Sequence, residues 1–142
     1  MTEGSAGAGD TRERTDWLCF QAGHRERYGV PRALVGKGRL DAFITDLWVR
    51  PGSPAWFAAA GRVGRRMRDR YHPDIPPEKV ISFSGRALVW DLLAGLRGMH
   101  GNDRLAARNA WWIRMATAAL RQKAPGAGYA FSYCYEARDL FR

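Results

Sequence analysis

The chain has 142 residues, 46% of them hydrophobic, which fits one globular domain and excludes disorder over most of its length. No apolar run reaches the roughly 18 residues of a membrane-spanning helix, and the first residues lack a basic start followed by an apolar core, so cytoplasm is the expected compartment. Lys and Arg number 23 against 14 acids, giving +9, and only Lys37, Lys79 and Lys123 are lysines; such a surface favours phosphate-bearing partners, be they nucleic acid, anionic lipid or a nucleotide-linked substrate, although a GC-rich genome also enriches Arg.

Residues 1–14 are Gly, Ala, Ser and charge without apolar periodicity. They are expected to form a disordered leader, with a single domain over 15–142. Trp17-Leu18-Cys19-Phe20 is a short apolar run closed by Gln21-Ala22-Gly23, the pattern of a strand buried on both faces. Pro31 suits the first turn of a following helix and Gly36 or Gly38 its end. Leu40 to Val49, rich in β-branched and aromatic residues and closed by Arg50-Pro51-Gly52, predicts a second strand. Strand, helix, strand implies a parallel pair joined by a crossover.

From Pro54 to Tyr71 the period becomes helical. Trp56, Ala60, Val63, Met67 and Tyr71 form one stripe, Ser53 is a plausible N-cap, and five arginines occupy most other positions. His72 to Pro77 is a rigid, non-helical connector in which His72 reads as a turn residue. Lys79 to Ser84 predicts a third strand. Between Gly85 and Met99, the residues Leu88, Leu92, Leu96 and Met99 recur at helical spacing, with Val89 and Leu93 widening the apolar face. Asn102 can cap a helix to about Lys123, striped by Leu105, Asn109, Trp112, Ala116 and Leu120. Tyr129 to Tyr135 predicts a fourth strand. Glu136 to Arg142 begins a helix too short to complete its stripe, so the chain is expected to be the front of something longer.

The expected fold class is therefore α/β: an open parallel sheet in the order 3-2-1-4, Rossmann-like, with helices on both faces and incomplete at its C-terminus. Ligands of such sheets bind at the carboxyl ends of the strands, near the reversal of strand order. The Gly23-His24-Arg25 loop follows the first strand, so His24 could serve as a general base or hydrogen-bond a substrate. Neither a dinucleotide-binding nor a phosphate-loop glycine pattern is present. His24, His72 and His100 have no metal-ligand spacing. Cys19 and Cys134 are too few for a zinc site and read as core thiols. The arginine-rich 56–71 helix could lie on an anionic membrane or simply solvate its charges. No specific nucleic-acid motif is present, so none is expected as a partner.

Together the runs CFQAGHRERYGVPRAL, RYHPDIPPEKV, RALVWDLLAGLR and FSYCYEARDLFR resemble the amino-terminal domain of GT-B-fold glycosyltransferases, in the family 4-like, group 1 bacterial branch. The resemblance spans about Trp17 to Arg142. It implies the acceptor-binding half of an enzyme that moves a sugar from a nucleotide sugar to a sugar or lipid-linked acceptor, without a metal or other cofactor. The nucleotide sugar would bind only with a donor domain, so the chain by itself is expected to be inactive. The loop after the first strand normally approaches the donor phosphates and the acceptor; here it is Gly23-His24-Arg25, without the usual Gly-Gly doublet. His24 becomes the catalytic candidate, with Gly23, Arg25, Asp46, Tyr133 and Glu136 as substrate-binding candidates and Trp48 a weaker one. Two alternatives stay open: a nonenzymatic basic module that binds anionic membrane or nucleic acid, and a split subunit that needs a donor-domain partner. On any of these readings the inner face of the membrane is a second expected location.

Overall fold

Strands β1 (Trp17–Gln21) and β2 (Leu40–Thr45) are almost wholly buried, as their unbroken apolar runs require. The computed structural model describes residues 16–54, 56, 61–123 and 128–132. Within them the sheet has four strands in the order β3-β2-β1-β4, with β3 (Val80–Ser82) and β4 (Tyr129–Ser132) at the edges. All three pairings are parallel, in the expected 3-2-1-4 order. The expectations for residues 1–14, for the strand continuation through Tyr133 and Cys134, and for the helix start from Glu136 lie outside the described residues.

Helices that accompany the strands among the described residues include α1 (Gly29–Gly36), α2 (Gly61–Arg68), α3 (Ser84–Leu96) and α4 (Gly101–Lys123). Alternation along the strands splits the core into two layers. Leu18, Phe20, Ala42 and Ile44 meet Trp111, Trp112, Ala116 and Ala119 of α4 and Ala87 of α3. On the opposite face Cys19 and Phe43 meet Tyr28, Trp48 and Ile75, backed by Val30, Leu34 and Val35. A register shift between Trp17 and Leu18 makes Trp17 face Leu40 while Leu18 faces Ala42. The extra residue, Asp41, turns Leu40 onto the Phe43 layer, since one inserted position exchanges the two faces. Each large apolar side chain buried this way contributes about 1.5–3 kcal/mol.

Several element ends differ from expectation. The second strand stops at Thr45, not Val49. Asp46 turns toward the loop after β1, and the Trp48 N–H instead donates to Ser84 Oγ at 2.8 Å, while the Val49 N–H donates to the Arg70 carbonyl at 3.0 Å. The 54–71 helix ends at Arg68, so Tyr71 leaves its stripe and packs on Trp48. Ser53 Oγ accepts from the Trp56 N–H at 3.3 Å, the bond expected of an N-cap there, and residues 55 and 57–60 lie outside the described residues. The third strand shrinks to three residues because Pro77–Lys79 forms a 3-10 turn before it and Ser84 opens α3 after it. Helix α4 begins at Gly101, which puts Asn102 inside the first turn rather than at the cap. The largest difference lies in α3. Leu88, Val89, Leu92, Leu93 and Leu96 face outward, and Ala87 and Ala94 face in.

Candidate functional site

A parallel sheet collects the carboxyl ends of its strands on one edge, and the loop after β1 stands where the strand order reverses between β2 and β4. Residue by residue, that loop is shaped from below. Gln21 is buried, and its Nε2 donates to the Arg25 carbonyl at 2.9 Å. Gly23 has φ +87°, a left-handed value that other residues adopt with strain. Its N–H donates to Asp46 Oδ1 at 3.0 Å.

Asp46 is the anchor of the edge. It is 5% exposed, and both carboxylate oxygens are engaged. Arg70, just past α2, donates to Oδ1 at 3.1 Å, and Arg108 of α4 donates to Oδ2 at 3.0 Å. Arg108 is itself fixed, with its guanidinium over the rings of Trp111 and Trp90 at 4.5 and 5.4 Å. A buried carboxylate with two guanidiniums and a backbone N–H is well compensated, and losing any partner would leave charge unpaired. One side chain thus ties the β1 loop to α2 and α4.

Beyond Gly23 the backbone makes a left-handed turn without glycine. Glu26, Arg27 and Tyr28 have φ values of 49°, 48° and 60°. Such conformations cost of order 1–3 kcal/mol each and persist only where surroundings impose them. Here the buried Tyr28 ring imposes them, packed against Phe43 and Trp48 at 5.3 and 5.5 Å. Its hydroxyl is buried without a hydrogen-bond partner among the described residues. Burial pushes the phenol above its ordinary pKa.

This turn opens a cleft of about 400 Å³ lined by His24, Arg27, Tyr28, Arg68, Asp69, Tyr71 and His72. The His72 Nδ1 accepts from the Asp74 N–H at 3.2 Å. Burial, with Arg32 nearby, lowers the His72 pKa, so the imidazole is neutral at neutral pH. With Nδ1 accepting, the ring hydrogen sits on Nε2, which can donate to a ligand oxygen. The guanidiniums favour anionic groups, and the Asp69 carboxylate can accept from hydroxyls. The cleft therefore suits a hydroxyl-rich molecule bearing negative charge.

The sequence candidates divide accordingly. His24 lines the cleft. Gly23 and Asp46 are adjacent to it but engage each other, so they position the loop. Arg25 contributes its carbonyl to Gln21 and keeps an exposed side chain outside the cleft lining; the left-handed turn brings Arg27 there instead. Trp48 is core, 7% exposed between aromatic neighbours. Tyr133 and Glu136 lie outside the described residues. Reading His72 as a turn residue accounts for its Nδ1 bond but misses its place in the cleft wall. Arg70 and Arg108 were also missed; the available signal was an aspartate at a buried strand end, which needs a cation. The Cys19 thiol is pushed up to about 12 by burial, which leaves it unreactive. Among the described residues no three His, Cys, Asp or Glu side chains gather as metal ligands, and no helix is long and apolar enough to cross a membrane. No protein-family model, curated protein or solved structure matches the chain.

Proposed function

We propose that the chain is the acceptor-binding, Rossmann-like half of a GT-B-type glycosyltransferase, acting with a donor-binding domain supplied in cis or in trans. The observation that carries this reading is the His24 loop. It stands at the strand-order reversal, is held by Asp46, and opens on a cleft with two guanidiniums, two imidazoles and a carboxylate. The four-stranded parallel sheet and the resemblance of the runs quoted above support it further.

On this reading His24 contacts the acceptor hydroxyl or the reacting sugar, as a hydrogen-bond partner or general base. Arg27 and Arg68 face negative charge on the acceptor or on the departing diphosphate, where fixed donors stabilise charge as it develops. His72 donates from Nε2 to a substrate oxygen. The sugar nucleotide binds to a second Rossmann-like domain outside these 142 residues, and closing the two halves excludes water and aligns the reactants.

The test is a transfer assay with a panel of nucleotide sugars and sugar or lipid-linked acceptors. Transfer is expected when the chain is fused to or mixed with a donor-binding domain, and none from the chain alone. Robust turnover by the 142-residue chain alone would overturn the two-domain reading. An absence of transfer across every pairing would overturn the glycosyltransferase reading.

A further inference from the structure

Helix α3 turns small residues inward and large ones outward. Ala87 and Ala94 are buried, while Leu88, Val89, Leu92, Leu93 and Leu96 are between 40% and 76% exposed. Their spacing makes one unbroken stripe along the helix. Val89 and Leu93 also wall a shallow apolar groove of about 390 Å³ with Trp90, Trp111 and Met115. A single exposed leucine is ordinary, but five contiguous large aliphatics mark an interaction surface.

The charge around the stripe is mostly positive. Helices α3 and α4 carry six basic residues against two aspartates. One of the two, Asp91, is held by Arg104 at 3.3 Å and by Arg108 at 3.8 Å. Arg86 stands exposed near one end of the stripe, and Arg97 stands exposed just past the other.

We infer that the outer face of α3 docks on the surface of an anionic lipid bilayer. Its leucines enter the boundary between headgroups and acyl chains, and Arg86 and Arg97 meet lipid phosphates. Charge selects this occupant. A second copy paired by two-fold symmetry would set the same arginines against each other. Residues 133–142 carry Glu136 and Asp139 against Arg138 and Arg142 and offer no net negative charge to match. An anionic bilayer supplies both apolar depth and negative charge. This surface is on α3 and differs from the arginine-rich 56–71 helix, for which the sequence left membrane docking and a solvated face both open, and the inference stands independently of the sugar-transfer proposal.

The experiment is co-sedimentation of the full chain with vesicles of mixed phosphatidylglycerol and phosphatidylcholine, and with phosphatidylcholine alone. Binding is expected to the mixed vesicles, weakened by salt, with little to phosphatidylcholine. Leu92→Gln combined with Leu96→Gln lowers partitioning by about tenfold or more, since both leucines leave water on docking. Arg86→Gln or Arg97→Gln lowers it by about fivefold each. The thermal melt of each variant stays at the parent value because the replaced side chains are exposed. Undiminished vesicle binding by the leucine variant would overturn the inference. So would a dimer that the leucine variant dissociates, without vesicle binding, which would assign the face to a second copy. A large drop in the melt of the leucine variant would also overturn it, by showing that the chain's own residues cover the stripe.

Discussion

Arg27 illustrates how one residue can serve the cleft at the expense of the fold. Its φ of 48° places a side chain with a Cβ in left-handed backbone, between two neighbours in the same state. Arginine has no intrinsic preference for that region, so no local pattern in Arg25-Glu26-Arg27-Tyr28 announces the turn. Burial of Tyr28 enforces it, and its consequence is that Arg27 rather than Arg25 lines the cleft. Replacing Arg27 with glycine therefore has opposed effects. Arg27→Gly relieves left-handed strain and is expected to stabilise the fold by about 1 kcal/mol in urea titration. The same variant removes a cleft guanidinium and, on the proposed function, is expected to weaken acceptor binding or transfer. A variant that is less stable than the parent would show that the turn is unstrained.

Asp46 acts at the scale of elements. Its carboxylate joins the end of β2 to the β1 loop, to Arg70 just past α2 and to α4. Asp46→Ala leaves two guanidiniums and a backbone N–H without their partner and is expected to destabilise by about 3–5 kcal/mol. Asp46→Asn keeps an acceptor for the Gly23 N–H and is expected to lose less. Equal stability of Asp46→Ala and the parent in a chemical melt would remove Asp46 from its anchoring role. These ties also explain which elements could be read from the chain in advance. β1, α1 and the order of the sheet follow from unbroken apolar runs punctuated by Gly and Pro, which are local signals. The end of β2 does not, because Leu47-Trp48-Val49 is as apolar as a strand and leaves the ladder only through long-range bonds to Ser84 and Arg70. Periodicity likewise identifies α3 as a helix but does not say which stripe turns inward. Alanines won that position where the helix lies against the sheet, leaving the leucines outside.

At the scale of the molecule, the parallel sheet gathers residues far apart in sequence onto one edge. His24 and His72 come from different loops, and Arg108 reaches Asp46 across 62 positions. His24 was visible beforehand because its loop directly follows a predicted strand. Arg27, Arg68, His72 and Arg108 were not, because their placement depends on how the helices return to the sheet. The same edge makes the central claim testable at a single side chain. The measurement is kcat/KM for the proposed sugar transfer by the chain joined to a donor-binding domain, with and without His24→Ala. The imidazole is exposed, so its loss should leave the melt unchanged. A drop of about tenfold or more, equivalent to about 1.4 kcal/mol of transition-state stabilisation, is the expected result. Full activity of His24→Ala would contradict the claim and return His24 to the role of a solvated loop residue.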